Sequence, residues 1–189
     1  MDVIDLHRRT VELFLERVEA IGDDQWGEPT PCADWDVRAL VNHVVGEDRW
    51  TAPLLGGSTI AEVGDRFDGD LLGADPAASA NDAAAEAVAA VGHHLPTGGQ
   101  VHLSYGDEDM AEYVRQLAAD HLIHAWDVAA AAGGDTSLDA ELVADVATWF
   151  AEREQLYRGA GIIGDRVETT SDDPAARLLA AFGRDPRPH

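Results

Sequence analysis

Apolar residues recur at helical spacing through most of this 189-residue chain. From about Val3 to Ile21, the residues Val11, Phe14, Val18 and Ile21 fall three or four positions apart, which places them in one stripe of a helix. A second stripe runs through Val37, Leu40, Val41 and Val44, with Asp36 placed to cap its first turn. The Ala-rich stretch from Asp75 through Val91 has strong helix propensity, and Pro76 is tolerated in a first turn. Val114, Leu117, His121, His124 and Val128 carry the same period between Asp107 and about Ala132, where Gly133 and Gly134 stop it. Leu142, Val143, Val146 and Phe150 predict a further helix from Leu138 to about Tyr157, and Pro174 opens a short one reaching Phe182.

The segments between these stripes lack a period. Residues 22–32 contain Gly22, Gly27, Pro29 and Pro31 and read as an ordered loop closing on Trp26 and Trp35. Residues 56–74 read as a long surface loop with some helical turn, and Val101 to Gly106 as an extended connection or hairpin arm too short to define a sheet. Ile162 to Thr170 reads as an extended link. No internal repeat or low-complexity linker divides the chain, so one domain over 1–189 is expected. Four long helices with short pieces attached make an all-α, antiparallel helical bundle the economical architecture.

Composition narrows the function classes. A hydrophobic content of 46% builds a core without staples, and the lone Cys32 has no partner for an internal disulfide. No run approaches the roughly eighteen apolar residues a membrane span needs, and no signal-like series opens the chain, so a cytoplasmic protein is expected. The formal charge of −23 sets 36 acidic residues against 13 basic ones, all of them arginine. Such a surface repels phosphate backbones and anionic lipid, which argues against nucleic-acid and membrane partners. The acidity reads first as a solvated surface, with an acidic binding face as the alternative.

Candidate chemistry sits in two distant segments. His43 lies roughly 110° around its helix from the centre of the 37/40/41/44 stripe, at the edge of the core near Glu47 and Trp50. Taken alone, a histidine there is more often a packing residue than a ligand. Asp120 and His124 are i,i+4 neighbours, and His121 and His124 are i,i+3 neighbours, so either pair can share a helix face and grip a divalent ion together with His43. Burying such groups unpaired is expensive, and a cation offsets the cost. The alternative is that Asp120 and His121 face water while His124 alone is buried and hydrogen-bonded. Trp126 fills core volume, and Asp127 either accepts ordinary hydrogen bonds or orients a ligand histidine. Cys32 follows Pro31 without an adjacent base and reads as structural. His93, His94 and His102 flank a Gly-Gly turn and read as solvent-facing, and no phosphate loop, Ser-centred elbow or CxxC pair is present.

Three runs carry a family resemblance: Thr30-Pro-Cys-Ala-Asp-Trp-Asp-Val-Arg-Ala-Leu-Val-Asn-His-Val-Val-Gly46, the Asp120-x-x-x-His-x-Trp-Asp127 segment, and Leu178-Leu-Ala-Ala-Phe-Gly-Arg-Asp-Pro186. Together they resemble the actinobacterial metal-binding proteins of the DinB-like superfamily, related to the metal-binding domain of mycothiol-dependent maleylpyruvate isomerase. The resemblance implies an antiparallel four-helix bundle with a metal at one end, and it places the ligands on His43, Asp120 and His124, favouring Asp120 over His121. It further implies zinc, or nickel or another divalent ion, and a small thiol such as mycothiol or bacillithiol. Asp120 is shorter than the glutamate of the isomerase relatives, which bears on coordination distance and metal choice. The additional C-terminal domain of those isomerases is also missing from the resemblance, so maleylpyruvate isomerisation itself is not the expected activity.

The expectation is therefore a metal-dependent transferase or isomerase using a small-molecule thiol on an electrophilic substrate, with His121 or Glu47 as secondary candidates for moving protons, and with a homodimer as one assembly to consider. Two alternatives stand beside it: a non-catalytic metal-binding or interaction protein stapled by its ion, and a hydrolase acting through metal-activated water.

Overall fold

Each predicted stripe forms a helix, and most of these helices begin on an aspartate whose carboxylate accepts hydrogen bonds from the otherwise free N–H groups of the first turn. In the computed structural model, which describes residues 1–186, Asp2 caps α1 (Val3–Glu19) and Asp36 caps α2 (Val37–Leu55). A single turn, α3 (Ile60–Val63), starts in a Thr59/Glu62 capping box inside the long loop. Asp75 caps α4 (Pro76–His94), Asp109 caps α5 (Met110–Ala132), Asp139 caps α6 (Ala140–Gly159) and Asp173 caps α7 (Pro174–Ala181). A share of the chain's acidity thus has a local structural use, since carboxylates at helix N-termini also complement the helix dipole.

The described residues fall into two compact units, Met1–Asp135 and a second beginning at Thr136. In the first, α1 packs on α4 and α5, and α2 packs on α4 and α5. Phe14, Val18, Leu40, Val41, Val44, Ala83, Ala125 and Val128 meet in its core, all nearly inaccessible to water. Between α4 and α5, β1 (Gln100–Leu103) pairs antiparallel with β2 (Gly106–Asp109), so the segment expected to be too short for a sheet is a two-stranded hairpin. The helix expected from Asp107 begins at Met110 instead, because the backbone of residues 107–109 pairs with β1 and Asp109 serves as the cap. No helix among the described residues is long and apolar enough to cross a membrane.

Two loops are fastened to α2. The Asn42 side chain donates to the carbonyl of Gly69 and accepts from the N–H of Leu71, while Arg38 donates to Asp70 and to the Gly73 carbonyl. The Trp-containing loop is held by Val37 N–H to Glu28, Arg38 N–H to Trp26, and Thr30 N–H to Trp35. That second set fixes where Cys32 and Trp35 stand.

In the second unit α6 packs on α7, and Phe150 stacks on Phe182 with ring centroids 3.9 Å apart. Glu154 binds Arg166 through both carboxylate oxygens, at 2.8 and 2.6 Å, and also accepts from Arg158 at 2.7 Å. Arg158 in turn donates to the Ala181 carbonyl at the end of α7. The hydrogen bond from Arg166, reinforced by Arg158, pulls the Glu154 carboxyl from 4.5 down to about 2. Because the folded value is depressed, this stabilisation is present above the unfolded carboxyl range and disappears as pH falls toward about 2. Glu154→Gln is expected to cost about 1 kcal/mol at neutral pH. Urea unfolding of both proteins should show that difference shrinking as the pH is lowered below the ordinary glutamate range.

Candidate metal centre

Asp120 and His124 stand one turn apart on α5, and His43 reaches them from α2, the neighbour on which that helix packs. His124 Nε2 is 3.3 Å from Asp120 Oδ1, and His43 Nε2 is 3.3 Å from Asp120 Oδ2. Each residue offers a donor atom within 4.8 Å of the other two. Asp120 Oδ2 is buried and receives no hydrogen bond, although the His43 nitrogen stands beside it. The exposures are unequal: the His124 side chain retains 7% of its accessible surface, against 30% for His43 and 32% for Asp120. The trio therefore has a buried wall and one side open to an incoming molecule.

An ion fits this set. Donor atoms bonded to a tetrahedral cation at about 2.0–2.1 Å stand roughly 3.3–3.4 Å from one another, close to the two nitrogen–oxygen separations of 3.3 Å. A buried carboxylate faced by two imidazole nitrogens is also an arrangement that a shared cation would hold together.

The surroundings hold the rings in place. Asp127, fully buried, accepts from His124 Nδ1–H at 2.9 Å, which leaves Nε2 to face Asp120. Of the two roles the sequence left open for Asp127, orienting His124 is the one this contact supports. Cys32 lies 95 positions away in sequence, yet its Sγ donates to the same Asp127 oxygen at 3.5 Å. No spacing along the chain signals that contact, because the Trp-containing loop alone delivers it. Trp35, from the same loop, lies against His43 with ring centroids 4.7 Å apart and against His124 at 5.9 Å.

The electrostatics follow from these neighbours. Burial pushes the Asp120 carboxyl up, but His124 and His43 outweigh it and hold the group well below the usual carboxylate range. Burial likewise opposes charge on His124, and Asp120, Asp127 and Cys32 together raise it well above the ordinary imidazole value. His43 is raised too, burial being overcome by Asp120. Glu47 moves upward through burial and the negative charge of Asp120. In the ion-free protein, protons therefore occupy the positions a metal would take, and metal binding must displace them.

His121 does not belong to this trio, nor does it face water. It is fully buried, donates from Nδ1 to the Leu117 carbonyl at 2.8 Å, and turns Nε2 toward Asp48, with His7 nearby. Neither His7 nor Asp48 was singled out from the sequence, although the signal was there. His7 extends the Val11/Phe14/Val18 stripe by one step, and Asp48 extends Val41/Val44. His93 is exposed, while His102 is half-buried and pairs with Asp107 at 2.7 Å.

Residues 7–129 match the family model described as the mycothiol maleylpyruvate isomerase N-terminal domain, a range that contains every residue of both clusters. Two uncharacterized proteins of Mycobacterium tuberculosis, MT0763 of strain CDC 1551 / Oshkosh and Rv0738 of strain ATCC 25618 / H37Rv, are each 35% identical to the chain over 188 residues, covering 96% of it and 97% of the relative. No solved structure matches the chain.

Proposed function

This chain belongs to the family of the mycothiol maleylpyruvate isomerase N-terminal domain, and from that premise we propose that it is a divalent-metal protein using a small thiol of the mycothiol class to transform an electrophilic small molecule. The observation that carries this function is the meeting of His43, Asp120 and His124 around a buried carboxylate oxygen with no hydrogen bond, on a side of the protein open to ligands. In this assignment α1, α2, α4 and α5 form a DinB-like bundle with its ion between α2 and α5.

His43, Asp120 and His124 would hold the ion, and two imidazoles with one carboxylate suit zinc, with nickel as a second fit. Once bound, the ion supplies a Lewis acid that favours the thiolate form of a thiol occupying an open position. Asp127 keeps a proton of His124 on Nδ1, which would leave Nε2 free to ligate the ion. Trp35 fixes the His43 ring and keeps water from one face of the site. Glu47, one turn along α2 from His43, takes or returns the substrate proton. His121 is less suited to that task because both of its nitrogens are engaged away from the open side.

Conjugation of a chloro-dinitroaromatic, followed by absorbance with and without mycothiol, tests the function. Protein purified without an affinity tag should turn over only when thiol and metal are both present, and chelation should stop it. Turnover without any thiol would make the protein a hydrolase. Retained metal with no thiol-dependent turnover on any electrophile tried would reduce the ion to a structural staple.

A further inference from the structure

We propose that His7, Asp48 and His121 form a second site for a divalent transition cation, separate from the trio that opens to ligands. The three side chains come from α1, α2 and α5, and each offers a donor atom within 4.8 Å of the others. All are sealed in the core, His7 and His121 at 0% exposure and Asp48 at 1%.

Three features point to a cation. First, both nitrogens of His7 and the Oδ1 of Asp48 are buried without a hydrogen-bond partner. A buried polar atom in that condition is destabilising, and an apolar ring would fill the same space without that cost. Second, His121 Nδ1–H donates to the Leu117 carbonyl, as ligating imidazoles do, which turns Nε2 toward Asp48, where a cation would take the place of the Nε2 proton. Third, that Nε2 lies 3.3 Å from one oxygen of Asp48 and 3.4 Å from the other, so the carboxylate faces it with both oxygens. Two imidazole nitrogens and two carboxylate oxygens make four donors of the kind zinc, cobalt and nickel accept.

The simpler arrangement is a buried His121–Asp48 ion pair with His7 packed edge-on against His121, at 5.7 Å between ring centroids. That arrangement leaves the polar atoms of His7 unexplained. A cation there joins three helices at a point closed to substrate, which is how structural rather than catalytic sites are built.

Titration of metal-free protein with Zn²⁺ and Co²⁺, read by calorimetry and by the cobalt absorption bands, decides it. Wild type is expected to bind two equivalents per chain. His43→Ala should keep one, with cobalt bands of a nitrogen–oxygen site, whereas His7→Phe and Asp48→Asn should each lose one. His7→Phe keeps a ring of similar size in the pocket and removes only the donors, so its fold can be verified by circular dichroism. If His7→Phe leaves the stoichiometry unchanged, or if the protein binds one equivalent that His43→Ala removes, the second site does not exist and the cavity holds an ion pair or water. If wild type instead binds a single equivalent, which His43→Ala leaves unchanged and His7→Phe abolishes, this site is established and the trio is refuted as a metal centre.

Discussion

His124→Ala is expected to remove one metal equivalent per chain and to lower the stability of the fold by about 3–5 kcal/mol. Two losses coincide in that variant. The ligand nitrogen facing Asp120 disappears, and Asp127, fully buried, loses the hydrogen bond from His124 Nδ1–H. Removing one partner of a buried charged pair is far more damaging than removing both, because the survivor remains desolvated. His43→Ala should lose the same metal equivalent at a much smaller structural cost, since its side chain is partly exposed and Asp120 keeps His124 beside it. Elemental analysis together with chemical denaturation of both variants separates ligation from packing. Undiminished metal content in both would refute the site.

Asp127→Asn is expected to weaken metal binding about 10–100-fold while leaving the protein folded. The amide occupies the same volume, but it replaces a charged acceptor for His124 Nδ1–H with a neutral one and so lowers the basicity of the imidazole. If the asparagine turns its NH₂ toward the ring, the proton is driven to Nε2 and the lone pair needed for the ion is lost. Competition against a chelator of known affinity measures the change. Cys32→Ala is the useful control, because the contact with Asp127, at 3.5 Å, is long and its removal should change affinity little. An affinity unaltered in Asp127→Asn would confine that carboxylate to packing.

Much of the local architecture was legible in the chain itself. The three-and-four spacing located α1, α2, α5 and α6, alanine content located α4, and Asp36 was recognisable as a cap because a carboxylate before an apolar stripe has a local task. The start of α5 was misplaced by three residues for a reason no helical period contains: residues 107–109 bond to β1, a partner chosen by chain reversal at residues 104–105. Asp120 and His124 were visible as a pair because one turn of helix brings them together without help from the rest of the protein.

The residues that escaped notice share a cause. His7 and Asp48 stand in apolar stripes where their polarity is visible in the sequence, but that they complement each other and His121 follows only from how the helices pack. Cys32 became part of the candidate centre through a loop held by backbone hydrogen bonds to α2, which no spacing rule describes.

By itself, the sequence determined the helices, their caps, the apolar faces and the i,i+4 pair, since these depend on backbone geometry over a few residues. Only the tertiary structure decided that α2 meets α5 with His43 against Asp120, that consecutive residues Asp120 and His121 serve different clusters, and which imidazoles are sealed from water. Those outcomes rest on contacts between residues more than seventy positions apart and on the desolvation they impose, and both arise only when the helices pack.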